Sequence, residues 1–242
     1  TDKLKKSGGG YLGVEQGSLD FGTLIEQVEA LATEEHQYKT IVIDSISALF
    51  NLVVTKEGER LGDKNQFGAD KKPAIAYLKR LIQWLNKVDM NVILISHEKS
   101  KWGVDNKGNR CEMAVTFDCW DKLEYELHLC LRIEKFGLTR DAVVGKSRLL
   151  EFQEGHRFPW SYLDFAKKYG QEIVEKKSEK IVLATPEQIA ELNGLLDVFR
   201  VEDADRDKWF AKANVESYAE MKTDQIAGVI NLIKNKLIKE KK

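Results

Sequence analysis

Apolar residues recur at helical spacing over residues 21–35, the first segment of the chain with a clear pattern. Leu24, Val28 and Leu31 stand three or four positions apart, which predicts an amphipathic helix. Residues 40–45 follow as a short, largely β-branched run that ends in a carboxylate and a hydroxyl. Such runs without polar alternation are typical of central parallel strands that are covered on both faces.

A helix followed by a buried strand is predicted a second time along the chain. Residues 73–88 predict a long helix, with Pro73 in its first turn and Leu78 on its apolar face. Residues 91–96 predict a second buried strand, and His97 follows it directly. A strand, a helix and a strand in this order predict a right-handed parallel crossover, so the expected fold class is α/β.

Alternating apolar and polar residues over 127–134 predict a strand with one solvated face. Residues 142–150 and 150–158 predict two further strands, which we expect to be antiparallel. The whole pattern therefore predicts a mainly parallel sheet that is flanked by helices and has antiparallel strands at its edge.

The carboxy-terminal part differs in composition. Residues 170–184 are rich in charge and predict a solvated linker. Thr185 then offers an N-cap, with a proline and a capping-box glutamine behind it, and another helix is predicted from about Thr223. We therefore predict a core over residues 1–169 and a small all-α domain over residues 185–242.

Two polar stretches, residues 51–72 and 98–122, interrupt these patterns and predict long loops. Loops of this length in a compact domain are usually functional or disordered. Cations occur in both stretches and aromatic residues in the second, which allows phosphate contacts together with base stacking. Acidic residues nearly balance the charge, so solvated loops remain the alternative. The candidate DNA-binding residues are Lys56, Arg60, Lys64, Lys71 and Lys72 in the first stretch and Lys99, Lys101, Trp102, Lys107 and Arg110 in the second.

Composition narrows the class of protein. The 242 residues carry a formal net charge of −1, so any nucleic-acid binding must come from local segments rather than from a global field. Three cysteines without the spacing of a zinc site or a disulfide framework fit a reducing compartment. No apolar run approaches the length of a bilayer span, and the first residues lack the apolar stretch of a secretory signal. We expect an intracellular protein that has no membrane partner.

Asp44 and the pair Ser96-His97 end the two predicted parallel strands, whose carboxyl ends meet at one edge of a sheet. A carboxylate at that edge is a hard oxygen ligand for Mg²⁺, and Ser45 and Ser96 are candidate nucleotide contacts beside it. The alternative is structural, because an aspartate often caps the helix that follows and a polar pair often completes the hydrogen bonds of a strand end. Taken singly, each residue favours this structural alternative.

The sequence Gly145-Lys146-Ser147-Arg148 resembles the end of a phosphate-binding loop but lacks its context. Position 140 is arginine instead of glycine, and no helical pattern follows, whereas such a loop works through backbone N–H groups at a helix start. Lys146 and Arg148 instead lie two apart on a predicted strand and share a face, where they suit an anion supplied by a neighbour. Gly8-Gly9-Gly10 has no Lys-Ser or Lys-Thr behind it and predicts a flexible loop.

In order and content these segments resemble the second half of the RecA-like ATPase core. More narrowly, they are similar to phage RecA-like proteins of the single-strand annealing group. The resemblance covers roughly residues 12–160, and the order of the motifs carries it more than any one motif does. The motifs are Ile41-Val42-Ile43-Asp44-Ser45, Ile95-Ser96-His97-Glu98, Lys122-Leu123-Glu124-Tyr125-Glu126-Leu127 and Gly145-Lys146-Ser147-Arg148.

The resemblance implies a role for each of these positions. Asp44 would be the Walker B magnesium ligand, and His97 would be the sensor after the next strand. Lys146 and Arg148 would reach the nucleotide of an adjacent subunit as arginine fingers do, which implies a ring or a filament. The two polar stretches would be the DNA-binding loops. ATP and Mg²⁺ are the implied cofactors, and single-stranded DNA, further copies of the chain and a single-strand DNA-binding protein are the implied partners.

The P-loop of the family, and the carboxylate that activates water, should precede the first residue of this sequence. Two explanations are open, namely an amino-terminal truncation and a protein that has lost nucleotide binding. We favour truncation, because Asp44, His97, Lys146 and Arg148 are all retained. By this reasoning residues 1–242 alone should bind ATP poorly or not at all.

The resulting hypothesis is an ATP-dependent protein that binds and anneals single-stranded DNA in phage-type homologous recombination and repair, in the cytoplasm of a bacterial host cell. Its enzymatic activity would be Mg²⁺-dependent ATP hydrolysis by the intact protein. A RecA-like helicase or helicase loader keeps the fold but changes the task. A scaffold with a dead nucleotide site would instead recruit partners through the helical tail. A nuclease using Asp118, Asp121 and Glu124 is the weakest alternative, because these carboxylates lie in a predicted loop without a metal-binding pattern.

Overall fold

The computed structural model describes residues 20–240, so the glycine cluster Gly8–Gly10 lies outside the described residues. Within that range no helix has both the length and the apolar run that crossing a membrane requires. The elements are α1 (Phe21–Thr33), β1 (Thr40–Asp44), α2 (Ile46–Leu61), α3 (Lys71–Leu85), β2 (Asn91–Ile95), β3 (Glu98–Val104), β4 (Arg110–Phe117), β5 (Leu129–Phe136), β6 (Thr139–Ser147), β7 (Arg157–Pro159), α4 (Tyr162–Tyr169), α5 (Gln171–Val174), α6 (Pro186–Val198), α7 (Asp203–Ala213) and α8 (Thr223–Glu240).

A parallel pair of strands organises the amino-terminal part of the described chain. β1 and β2 pair in register from Thr40 opposite Asn91 to Asp44 opposite Ile95. Alternate residues of β1 are buried against the helices, and each large apolar side chain that becomes fully buried contributes about 1.5–3 kcal/mol. The main buried side chains of this core are Phe21, Val28, Ile41, Ile43, Ile46, Leu49, Phe50, Leu78, Leu81, Trp84 and Leu85.

Local signals set the limits of the first two helices. The Asp20 carboxylate caps α1 by accepting a hydrogen bond from Thr23 N at 2.9 Å. Gly62 ends α2 with a φ of +52°, a left-handed conformation that favours glycine. The helix predicted from residue 21 and the strand predicted from residue 40 are therefore present with closely similar bounds.

Residues 51–72 are largely helical, so the prediction of a long loop there was wrong. α2 continues to Leu61 and α3 begins at Lys71, which leaves only a short connection. No residue of α2 after Phe50 is fully buried, although Val53 packs against the core. The second half of the helix thus has no continuous apolar stripe, and the periodicity that predicts a helix is missing from the sequence.

Residues 98–122 are also ordered, because β3 and β4 form an antiparallel hairpin where a loop was predicted. The turn is built locally, since the Asp105 carboxylate accepts hydrogen bonds from Lys107 N and Asn109 N, both at 2.8 Å. Gly108 has a φ of +82°, which favours glycine in this turn. Apolar and polar residues do alternate along β4, but the high charge of the segment concealed that strand signal.

A third sheet, which is antiparallel, follows in the order β5, β6 and β7. Its small core joins Val144, Phe152 and Phe158 with Phe165 of α4. The strand predicted over residues 150–158 is mostly turn, and only β7 is extended. Among the strands of the described chain only β1 and β2 pair in parallel. The fold is therefore α/β with small sheets of both kinds, rather than one mainly parallel sheet.

The linker predicted over residues 170–184 is not solvated throughout, because residues 176–183 (the strap) run along the core. Ile181 and Leu183 pack against the apolar core, and Ile181 N donates a hydrogen bond to Ala32 O at 2.8 Å. The charged side chains Lys176, Lys177, Glu179 and Lys180 are exposed, which explains why the composition indicated a solvated segment.

The last three helices, α6 to α8, form a unit with its own core (the helical unit). The predicted capping box is present, because Thr185 Oγ1 accepts from Gln188 N at 3.2 Å and Gln188 Oε1 accepts from Thr185 N at 3.1 Å. The predicted division of the chain into two domains at these boundaries stays a prediction. The buried residues of the helical unit are Leu192, Val215, Met221, Ile226, Ile230 and Ile233.

We expect Cys119 to react more slowly with thiol reagents than Cys111. Burial raises the pKa of the Cys119 thiol to about 11, and the residue is only 2% exposed. Cys111 lies partly exposed on β4. Iodoacetamide at pH 8 should label Cys111 at least about tenfold faster, as measured by peptide mass spectrometry, and unfolded protein serves as the reference. Equal rates in the folded protein would show that Cys119 is not part of the core.

Candidate functional site

The edge at which β1 and β2 end carries the residues predicted to bind nucleotide. Because the pair is parallel, Asp44 lies opposite Ile95, and Ser96 and His97 follow directly. Asp44 is exposed and receives no hydrogen bond or ion pair from residues 20–240. A carboxylate of this kind at the carboxyl edge of a parallel pair is available to a cation.

Ser47, in the first turn of α2, connects the two strand ends. It is 1% exposed, and its Oγ accepts a hydrogen bond from His97 N at 2.9 Å. The same oxygen shares a second hydrogen bond with Ser96 Oγ at 2.8 Å. The backbone after β2 is thereby fixed to the start of α2, whereas His97 as a residue stays exposed.

The residue that caps α2 is Ser45 rather than Asp44. Ser45 Oγ accepts a hydrogen bond from Ala48 N at 3.3 Å. The structural alternative for Asp44 was that it caps this helix, and Ser45 takes that role instead. Ser45 is itself buried and its hydroxyl is engaged, so a contact from Ser45 to a nucleotide would compete with the cap.

Asp44 fits the Mg²⁺ ion that the resemblance implies. Magnesium is usually held by one or two carboxylates together with phosphate oxygens and water, so it needs no complete cage of protein ligands. Residues 20–240 contain no group of three or more His, Cys, Asp or Glu that would hold a metal by itself. Gly145 to Ser147 lie in β6, and a turn follows them, so this segment is not a phosphate-binding loop.

The hairpin of β3 and β4 begins directly after His97 and therefore leaves the same edge of the sheet. At its base, Asp118 N donates to His97 O at 2.6 Å. The Asn51 amide on α2 donates to the Asp118 carboxylate, also at 2.6 Å. A helix and a strand end together hold the base of the hairpin in place beside Asp44.

The hairpin displays an aromatic ring together with cations. Residues that pair across an antiparallel ladder share a face, so Trp102 lies with Glu112 and Val104 with Arg110. The Arg110 guanidinium lies over the Trp102 ring at 5.3 Å from its centroid, and Trp102 is still 55% exposed. Lys101 precedes Trp102 on the strand and is exposed, and the register of the ladder shifts between these two residues. The hairpin thus presents an aromatic-cation pair with an exposed lysine next to it in the chain.

Carboxylates of the chain already neutralise two of the predicted DNA-binding cations. Arg60 donates two hydrogen bonds to Glu57, at 2.6 and 2.8 Å. Lys99 donates to Cys119 O at 3.1 Å and lies 3.7 Å from the Asp118 carboxylate. These two residues therefore offer less charge to a phosphate than the sequence indicated. The remaining predicted cations are exposed, namely Lys56, Lys64, Lys71, Lys72, Lys101, Lys107 and Arg110.

Backbone carbonyls of the same chain hold Lys146 and Arg148. Lys146 Nζ donates to Glu124 O at 2.6 Å and also to Leu127 O. Arg148 Nη2 donates to Tyr125 O, while the residue remains exposed. Both side chains reach one short segment, in keeping with a shared face. Lys146 is turned inward, contrary to the expectation of a cation displayed to a second copy, and the role in trans stays a prediction.

The other candidate regions do not converge on a site. Asp118 is bound by Asn51, and Asp121 is largely exposed beside Lys99, so the carboxylates of the nuclease alternative form no metal-binding group in the described chain. Two surface clefts lie away from Asp44 and His97. One cleft lies between α3 and the helical unit and the other lies beside the strap.

Sequence reasoning missed Ser47 and Asn51, which fix the edge and the hairpin base. Their partners, Ser96 and Asp118, lie far along the chain, and no local pattern indicates a hydrogen bond between such distant residues. The contact of Arg110 with Trp102 could have been predicted from the sequence, because pairing the strands around the Asp105 turn brings the two residues together.

Comparison with known proteins identifies one family. Residues 9–159, more than half of the chain, match the family described as AAA domain. The matched range includes the edge with Asp44, the hairpin, and Lys146 with Arg148. A search of curated proteins and a search of solved structures each found no match.

We expect the substitution Ser47→Ala to destabilise the fold by about 1–3 kcal/mol, because it leaves a buried backbone N–H without its acceptor. Urea unfolding followed by circular dichroism measures the loss. Ser100→Ala is the matched control, since Ser100 is exposed on β3, and it should stay within about 0.5 kcal/mol of the wild type. Equal stabilities of the two variants would show that the Ser47 hydrogen bonds do not hold the strand ends together.

Proposed function

The chain belongs to the AAA domain family, and from this premise we propose that it is an ATP- and Mg²⁺-dependent protein that binds and anneals single-stranded DNA. A domain of this type implies nucleotide-dependent activity. The task we assign to that activity is strand annealing in phage-type homologous recombination and repair. The protein would act in the cytoplasm of a bacterial host cell.

The observation that carries the proposal is the juxtaposition of two chemistries at one edge of the parallel pair. Asp44 stands free at the end of β1, and the hairpin that displays Trp102 starts from the end of β2. A movement of the backbone at the edge that carries Asp44 would therefore reach the hairpin through His97, which directly precedes β3. Ser47 and Asn51 tie both parts to the same helix.

The hairpin supplies the groups that single-strand binding requires. An exposed aromatic ring stacks on a base whatever its identity, and lysine or arginine side chains contact the phosphates. Trp102, Lys101, Lys107 and Arg110 provide both kinds of group on one element, although the whole chain has a net charge of −1. Binding would then be local to the hairpin, with the exposed lysines near the α2–α3 connection as a second contact.

We assign Asp44 to magnesium and the His97 side chain to sensing the terminal phosphate, with Ser96 beside them. Arg148 is the better placed of the two predicted trans-acting cations, because it is exposed, whereas Lys146 is turned inward. This assignment requires a ring or filament of identical chains. A single-strand DNA-binding protein is the further partner that the proposal includes.

Trp102→Ala should weaken binding to an oligothymidylate by about 5- to 150-fold, because one base–aromatic stack contributes about 1–3 kcal/mol. Lys101→Ala should weaken binding less and should lower the slope of log affinity against log salt by about 0.7. Fluorescence anisotropy of a labelled oligonucleotide across a salt series measures both effects.

Phe136→Ala is the matched control for Trp102→Ala. Phe136 is also 55% exposed and also lies under an arginine, Arg157, but on the turn side of a different hairpin. It should leave the affinity unchanged. If both variants bind as the wild type does, the hairpin is not the DNA-binding element.

Asp44→Asn should reduce Mg²⁺-dependent ATP hydrolysis by the whole protein at least about 100-fold, because the variant loses the negative charge that holds the ion. It should leave nucleotide-free binding to single strands unchanged. Phosphate release measures the first property and anisotropy the second, with the exposed Asp63→Asn as control.

Three outcomes separate this proposal from its alternatives. Directional unwinding of a duplex, driven by ATP, would favour a helicase or a helicase loader over an annealing protein. Absence of hydrolysis by the wild-type protein would favour a scaffold with a dead nucleotide site. Full activity of Asp44→Asn would show that Asp44 does not bind the magnesium ion.

A further inference from the structure

Two cations and an aromatic ring lie together at the end of α3, where they face the helical unit. Arg80 and Trp84 are on α3, and Lys87 lies in the turn just after the helix ends at Leu85. The side chains of Arg80 and Lys87 are 20% and 9% exposed. Two cations so little exposed need an anion close to them, because an unpaired buried charge is strongly destabilising.

The anion comes from the helical unit, in the form of Glu220. Its carboxylate accepts two parallel hydrogen bonds from the Arg80 guanidinium, at 2.7 and 2.8 Å. A bidentate pair of this geometry is both strong and directional. The Glu220 side chain is 15% exposed, so little solvent screens the pair.

Lys87 depends on the same carboxylate. Its Nζ lies 3.7 Å from Glu220 Oε2 and 4.1 Å from the centroid of the Trp84 ring. It donates no hydrogen bond to any group of the described residues. This buried ammonium is therefore compensated by the ring face and the shared Glu220 carboxylate, and to a smaller extent by the charge of Glu29.

We propose that Glu220 is an electrostatic latch that fastens the helical unit to α3, so that this unit is a fixed part of the nucleotide-dependent core and not a free tail. One carboxylate neutralises two cations of the core, and the residues it joins are 140 positions apart in the chain. α3 leads directly into β2, the strand that ends at Ser96 and His97. The latch therefore acts on the helix that supports the proposed site.

The titration of the cluster agrees with this geometry. Burial alone would raise the pKa of Glu220, but hydrogen bonds from Arg80 and from the Glu216 amide, together with the charges of Arg80 and Lys87, lower that pKa below its usual 4.5. Burial lowers the pKa of Lys87, and the charge of Glu220 opposes this effect. The Glu220 carboxylate therefore stays ionised, and Lys87 is the residue whose charged form burial disfavours.

The strap is the second attachment and provides a readout. Val182 O accepts a hydrogen bond from Thr223 N at 3.0 Å, and Ala184 N donates to Met221 O at 2.8 Å. Lys177 in the strap is exposed. If the latch opens, we expect the helical unit to loosen from α3 and the strap to become more accessible to trypsin.

The test is Glu220→Gln in the full chain. We expect the Tm to fall by about 6–12 °C, because one partner of a buried pair is removed while two cations stay behind. Trypsin cleavage in the strap should become at least about tenfold faster. Glu216→Gln is the matched control, since Glu216 is 60% exposed at 3.5 Å from Arg80 Nε, and it should change neither property.

Adding Lys87→Met to Glu220→Gln distinguishes a latch from a mere loss of packing. Methionine fills a similar volume without a charge, so the double variant should recover at least about half of the lost Tm. An unchanged Tm and cleavage rate in Glu220→Gln, or a further loss of Tm in the double variant, would overturn the proposal. Neither measurement involves DNA or nucleotide, so the result is independent of the proposed function.

Discussion

The pairing of β1 with β2, fixed at its carboxyl end by the Ser47 hydroxyl, is the constraint on which the rest of the site depends. Parallel pairing brings Asp44 and the Ser96-His97 segment to one edge. Ser47 then fixes the Ser96-His97 segment to the start of α2, because its oxygen bonds to the backbone of His97 and to the side chain of Ser96. Ser45 caps α2, and the exposed Asp44 carboxylate receives no hydrogen bond from residues 20–240.

The hairpin extends this arrangement away from the core. Its base is fixed by Asn51 and Asp118, and its outer half displays Trp102 with Arg110 above the ring. Lys101, Lys107 and Arg110 are exposed on it, and Glu112 pairs with Trp102 on the ladder. The neutralised Lys99 and the exposed Lys101 illustrate the difference between two lysines that the sequence alone cannot separate.

The helical unit is connected to the core by charge as well as by the strap. Arg80 on α3 and Lys87 just after it are cations with little exposure to solvent, and Glu220 supplies their counter-charge. Through this connection the carboxy-terminal helices contribute to the stability of the core. A scaffold that recruits partners through a free tail agrees less well with such an attachment than a motor in which both units move together.

The sequence by itself determined those features whose signals are local and periodic. It predicted α1, α3, β1, β2 and the capping box at Thr185, because helical spacing, β-branched runs and caps are encoded in neighbouring residues. It failed for the second half of α2, where no apolar stripe marks the helix, and for the hairpin, where charge concealed the alternation. Only the tertiary structure decided which charges are free and which are paired, as with Lys146, Lys99 and Glu220, because partners that lie far apart in the chain meet only once the chain has folded.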